Sequence, residues 1–253
     1  MLLRRLTQHV RDQNWTAVIL DFVIVVTGVF VGIQLGNWNE ARAERKAEIS
    51  YLTRLHADLS ADIEMYDLRL KVINGQLDLA PEALGTSPDD TASAWSLIRA
   101  QYAISGILPP EIRDATYTDM VNAGGLALIQ DQHLRDRLVN YYVADGALPV
   151  LKSEPPFRQM VRGIIPHTMQ AYLTSPICAP DFVSYLPCDP PDDLGSVNAV
   201  AKTMREDVAL MRALNYSIAH HEICRKIILA LIANTADLRG IVEVSLAARG
   251  VEV

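Results

Sequence analysis

The sequence predicts an all-α protein: an N-terminal transmembrane helix continuing into a long helix that packs in an irregular antiparallel helical bundle. Three observations lead there. Residues 17–36 form an apolar run that contains one charge, Asp21, and no proline. A stripe of apolar side chains spaced three and four apart follows it, which is a helical period. Proline- and glycine-bearing loops then cut the remainder into helix-length pieces, with little of the alternation that marks strands.

The apolar run comes first. A helix over residues 17–36 spans roughly 30 Å, the thickness of a bilayer's hydrocarbon core. Trp15 and Trp38 flank it, where indoles favour the membrane–water interface. A basic start (Arg4, Arg5, Arg11) before an apolar run also describes a secretory signal, and Ala41-Arg42-Ala43 resembles its cleavage site. The run is long for a signal, no helix breaker follows Gly36, and that site lies well beyond the apolar stretch, so the segment reads as an uncleaved anchor. This divides the chain into a short cytoplasmic segment (1–16), a transmembrane helix (17–36) and a soluble helical-bundle domain (37–253). Gly28, Gly32 and Gly36, four apart, share a helix face with Asp21. Small residues at that spacing let two membrane helices approach closely, and a carboxyl in hydrocarbon seeks a partner. The face suits homo-oligomerisation or docking on another membrane helix; a glycine-tolerant lone helix would read the same.

Beyond the anchor, residues 37–74 contain neither proline nor glycine. Leu52, Leu55, Leu59, Ile63, Tyr66, Leu70, Ile73 and Leu77 make an apolar stripe there and just beyond, one wall of a bundle rather than a coiled-coil seam because later segments also need apolar partners, and Gly75 and Pro81 mark where the helix ends or bends. Helices are predicted over 92–105, 111–122, 132–144 (capped by Asp131), 157–173 and 196–247. Ser196 would cap the last region, with breaks near Asn215 or Asn234. Gly124-Gly125 permits a tight turn between the second and third of these helices.

Composition bounds the function. The chain has 253 residues, half of them hydrophobic and 21% charged, values of a globular protein with a core. A formal net charge of −7 argues against a nucleic-acid partner. Cys178 and Cys188 bracket a short proline-bearing loop and suit a disulfide, although two unrelated buried thiols would read alike; Cys224 lies in a helical run and suits a core thiol. Positive charges flank both ends of the anchor nearly equally, so a disulfide is what would tip the topology. It puts the N-terminus in the cytoplasm and the domain in an oxidising space, the periplasm.

Two segments carry a resemblance. One is the anchor exit, Gly32-Ile33-Gln34 and then Trp38-Asn39-Glu40 with Arg42, a W-N-E-x-R pattern. The other runs from Tyr117-Thr118-Asp119-Met120 through Ala123-Gly124-Gly125-Leu126 and Leu134-Arg135-Asp136 to Tyr141-Tyr142. Over roughly residues 1–145 the chain resembles an uncharacterised domain-of-unknown-function family of single-span Gram-negative membrane proteins. The resemblance implies an inner-membrane location and a helical domain, and it brings no activity.

No catalytic, cofactor or metal set emerges. His220-His221-Glu222 with Cys224 is the densest polar cluster, but adjacent histidines point about 100° apart on a helix and suit a metal poorly. His56 reads as the polar edge of a helix. Tyr117, Tyr141 and Tyr142 either pack the hairpin or line a ligand groove. A non-enzymatic, membrane-anchored interaction or scaffold protein with an envelope partner is the leading expectation. A periplasmic small-molecule sensor and an envelope hydrolase without recognisable motif are the alternatives. A tyrosine-lined pocket would favour sensing, and an exposed apolar patch would favour a partner.

Overall fold

The computed structural model describes residues 15–85, 91–143, 148–179 and 187–253, so the basic start of the chain lies outside the described residues. Every regular element among them is helical. In order they are α1 (Trp15–Asp78), α2 (Ala80–Ala83), α3 (Thr91–Ile104), α4 (Ala115–Asn122), a 3-10 turn (Gly125–Leu128), α5 (Gln132–Val143), α6 (Leu148–Lys152), α7 (Pro156–Ile164), α8 (His167–Leu173), α9 (Leu194–Glu206) and α10 (Val208–Ala247). The chain divides into two units, Met1–Tyr51 and Leu52–Val253, and α1 contributes to both.

In the first unit the large apolar side chains from Ile19 to Leu35 are all exposed. Scattered exposed apolar residues are ordinary, and a continuous apolar surface around a helix is not. Among the described residues α1 is the one helix long and apolar enough to cross a membrane. At the end of this surface the Arg42 guanidinium lies over the exposed Trp38 ring, 5.8 Å from its centroid.

In the second unit α1 becomes a buried wall. Its most buried positions are 52, 55, 59, 62, 66, 69, 73 and 76, steps that alternate three and four. The sequence stripe expected Ile63, Leu70 and Leu77 at this surface; they are partly buried, Leu70 and Leu77 against the cluster around Tyr66 and Ile73, and Asp62, Arg69 and Gln76 take the most buried positions beside them. Gly75 does not end α1, which runs on to Asp78. Pro81 falls in the first turn of α2, where a missing N–H goes unnoticed.

The largest core gathers Trp95, Ile98 and Tyr102 of α3, Phe157 and Val161 of α7, Leu173 of α8, Met204 of α9 and Leu214 of α10. A second cluster joins Tyr66 and Ile73 of α1 to Leu151 of α6 and to Cys224 and Ile228 of α10. Polar side chains tie the segments together. The Gln76 amide donates to the carbonyls of Ala103 and Gly106, each at 2.9 Å, and so caps the C-terminal end of α3.

Three expected boundaries move. Residues 157–173 are two helices, because Pro166 holds Ile165 extended at φ −75°, ψ 123°. The last helical region breaks at Asp207, not at Asn215 or Asn234. Asp207 leaves the helical region (φ −79°, ψ 97°) and its carboxylate accepts the Leu210 N–H at 2.9 Å, capping α10. Asp193, rather than Ser196, caps α9 by accepting the Ser196 N–H at 3.2 Å. At the hairpin Gly124 takes φ +70°, the left-handed conformation glycine adopts freely, and the Asp131 carboxylate accepts the Leu134 N–H at 3.2 Å.

Candidate functional site

Cys178 and Cys188 lie at disulfide-bonding distance, with Cα atoms 5.2 Å apart. Cys178 is buried in the main core. The strap beyond Cys188 is pinned to the bundle: the Trp95 indole N–H donates to the Cys188 carbonyl at 2.8 Å, and the Tyr172 hydroxyl donates to the Asp189 carbonyl at 3.0 Å. Trp95 and Tyr172 are themselves neighbours, with centroids 5.9 Å apart.

The three tyrosines singled out in the sequence come together. Tyr117 of α4 stacks on Tyr142 of α5 at 4.5 Å and 14°. Tyr141 points the other way, into the bundle. Its hydroxyl donates to Asp62 Oδ2 at 3.0 Å and accepts from Thr235 Oγ1 at 3.3 Å. Asp62, fully buried, also accepts the Arg113 backbone N–H at 3.2 Å and its guanidinium at 3.3 Å. Burial pushes the Asp62 carboxyl above its ordinary range, and these donors oppose the rise. Among the described residues the Tyr66 hydroxyl, buried beside Tyr141, makes no hydrogen bond of good geometry, and the Tyr142 hydroxyl meets no partner. Burial raises both phenols, and the nearby carboxylate of Asp62 adds to the rise. The cluster is a packed acid–phenol network that locks α1, α5 and α10 in register.

Two turns beyond Asp62 on α1 the chemistry reverses. Arg69 is 6% exposed, and its one hydrogen bond runs from Nη2 to the Leu151 carbonyl at 3.0 Å. Its Nε and Nη1 are buried and meet no partner among the described residues. Beside it lies a cavity of about 20 Å³ whose walls include Arg69, Ile73, Leu108, Ser153, His221 and Cys224. His220 Nε2 is 3.4 Å from both Ser153 Oγ and Cys224 Sγ. His221 Nδ1 lies 2.6 Å from the Ser217 carbonyl, which assigns the ring proton to that nitrogen. Burial holds both histidines below the ordinary imidazole range, with the Arg69 charge adding to it for His220, and His220 and then Arg69 adding to it for His221 against the Ser217 carbonyl; burial raises the Cys224 thiol.

Sequence reasoning singled out His220, His221 and Cys224 but missed Arg69 and Asp62. The signal for both was the seven-residue step from Leu55 through 62 and 69 to 76. Among the described residues no group of three or more His, Cys, Asp or Glu is placed to hold a metal. His56 meets Glu243 of α10, Nε2 to Oε1 at 2.9 Å. Gly28, Gly32 and Gly36 are exposed, and a Cβ added at any of them would meet nothing within 4 Å. Asp21 belongs to α1, but its side chain lies outside the described residues.

Residues 21–144 match the model of a family of unknown function, DUF6090. The matched stretch takes in the apolar part of α1, the polar seam and the tyrosine hairpin, and lies within the region that carries the resemblance. Neither curated proteins nor solved structures gave a match.

Proposed function

We propose that this chain is a single-span protein of the bacterial inner membrane, with a cytoplasmic N-terminus and a periplasmic helical domain that acts by binding. It is an interaction or scaffold module of the cell envelope rather than an enzyme. The observation that carries this reading is α1, one helix whose apolar surface is bare over its first part and which forms the wall of a bundle from Leu52 onward. The paired cysteines favour an oxidising compartment for the domain. The open glycine face, with the bilayer around it, suits the anchor of a second copy. Tyr216 and Ile223, exposed seven residues apart on one face of α10, favour an envelope protein as partner of the domain.

Labelling with a membrane-impermeant thiol reagent in spheroplasts tests the topology. Cys178 and Cys188 react from outside only after reduction if the reading holds. Labelling that requires lysis and no reductant puts the domain in the cytoplasm and refutes it. For the anchor, Gly32→Ile reduces cross-linked dimer in membranes, and unchanged cross-linking removes the second copy from the reading. A sensing module is the second reading, and the Arg69 cavity is the observation that favours it.

A further inference from the structure

We propose that the cavity beside Arg69 binds one small monovalent anion, either a halide or the carboxylate head of a short organic acid. The inference stands on the cavity alone and does not depend on the location or the partner proposed above. A guanidinium keeps its proton in a protein, so burial cannot neutralise Arg69 as it would a lysine or a histidine. A buried charge is retained where something of opposite sign meets it. Among the described residues no carboxylate pairs with Arg69, and the Leu151 carbonyl takes one of its N–H groups. The two unpartnered nitrogens, Nε and Nη1, leave a buried guanidinium with N–H donors that a carboxylate or a halide accepts in charge-assisted hydrogen bonds.

The neighbours do not supply the missing charge. The Cys224 thiol is held protonated by burial, and the two histidines bring no negative charge in either protonation state. His221 has its Nδ1 proton committed to the Ser217 carbonyl. Ile73, Leu108 and Leu151 bring apolar side chains to the wall beside the polar Gln76 and Ser153, and that apolar part strengthens attraction to a charge placed there. About 20 Å³ is room for little more than one water-sized species, too little for a hydrated sulfate or a phosphate ester. A second cavity of about 190 Å³ shares Val72, Gln76, Gly106, Ile107 and Leu108 of this wall, and gives the tail of a short acid a place to lie.

The test uses the full chain in detergent, exchanged into sodium isethionate at constant ionic strength. Sodium bromide, formate, butyrate and sulfate are each titrated against the thermal midpoint. Bromide and formate raise it saturably, by about 5–10 °C at a hundredfold excess over Kd, as linkage requires for a domain of this size. Sulfate leaves it at the isethionate value. Butyrate acting well below formate concentrations identifies a short acid as the ligand; butyrate no better than formate identifies the inorganic anion. Arg69→Met abolishes the response. Should that variant fail to fold, Cys224→Asp keeps the arginine, supplies an internal carboxylate and removes the response in the same way. Bromide-soaked crystals show an anomalous peak within hydrogen-bonding reach of the Arg69 guanidinium, at Nε or at Nη1. No midpoint shift with any of the anions, sulfate responding as bromide does, or a response surviving in both variants overturns the proposal.

Discussion

Breaking the Cys178–Cys188 link has a consequence that can be worked from chain length. The two residues are ten apart in sequence. Releasing a loop of that length returns conformational entropy to the unfolded chain worth about 2.7 kcal/mol at 25 °C. A bundle of this size shifts its midpoint by about 2–4 °C per kcal/mol, so Cys178→Ala with Cys188→Ala lowers Tm by about 5–10 °C. The loss also has a local signature. Cys178 is 1% exposed in the main core, and the strap at Cys188 and Asp189 is held to Trp95 and Tyr172 by two hydrogen bonds. A freed strap leaves the Trp95 indole N–H to water, so its fluorescence moves to the red before the bundle melts. Circular dichroism and tryptophan emission, followed together on the full chain in detergent, read both effects; a tryptophan-to-phenylalanine change at position 95 assigns the emission. A double variant that melts within about 1 °C of the parent, with unchanged emission, refutes the reasoning: the strap would then be held by its hydrogen bonds alone.

Other perturbations follow from single contacts. Tyr141→Phe takes one donor from the buried Asp62 carboxylate and costs about 1–3 kcal/mol in urea unfolding at neutral pH. Because the folded Asp62 pKa is raised above 3.8, its contribution to stability is full at low pH and is lost as pH climbs through the folded value; the Tyr141→Phe penalty therefore shrinks toward pH 4, and a penalty constant with pH contradicts the network. Gly124→Ala meets no steric neighbour and pays only for φ +70°, about 1–2 kcal/mol, seen as a drop of a few degrees in Tm. His221 has its folded pKa below 6.5, so the unfolded chain binds the proton first. Stability is full above pH 6.5 and falls as pH drops from there through the folded value, and His221→Gln flattens that slope in urea midpoints measured between pH 7.5 and 5.

The sequence made some of this legible and hid the rest for identifiable reasons. The helical class, the anchor-length run and the cysteine pair could be read because each depends on neighbours in sequence: an unbroken apolar stretch, a helical period, two cysteines around a proline-bearing loop. The Asp131 cap and the Gly124 turn are local in the same sense. Helix ends at Ile165 and Asp207 were missed although the signals, Pro166 and an aspartate three residues before Leu210, stood in plain view. Apolar residues on both sides continued the helical period and outweighed them. The contacts of Tyr141 with Asp62 and of Arg69 with Leu151 join residues about eighty apart, and no local pattern announces such pairs.

The seam of α1 explains why the polar site in particular escaped notice. A search for apolar residues at helical spacing chose Ile63, Leu70 and Leu77, because it passed over the charged and amide residues that precede them. The buried face steps through 62, 69 and 76 instead. Three polar groups in a helix–helix seam are unfavourable unless each is matched, and matching them fixes which segments dock and where. Asp62 is matched by Arg113 and Tyr141, and Gln76 by the carbonyls that end α3. Those two positions are accounted for by register alone. Arg69 has one carbonyl for a full charge and leaves two donors bare. A leucine in its place would pack against Ile73, Leu151 and Ile228 without that desolvation. Of the three polar seats in the seam, the stability of the bundle explains two, and binding is the explanation that fits the third.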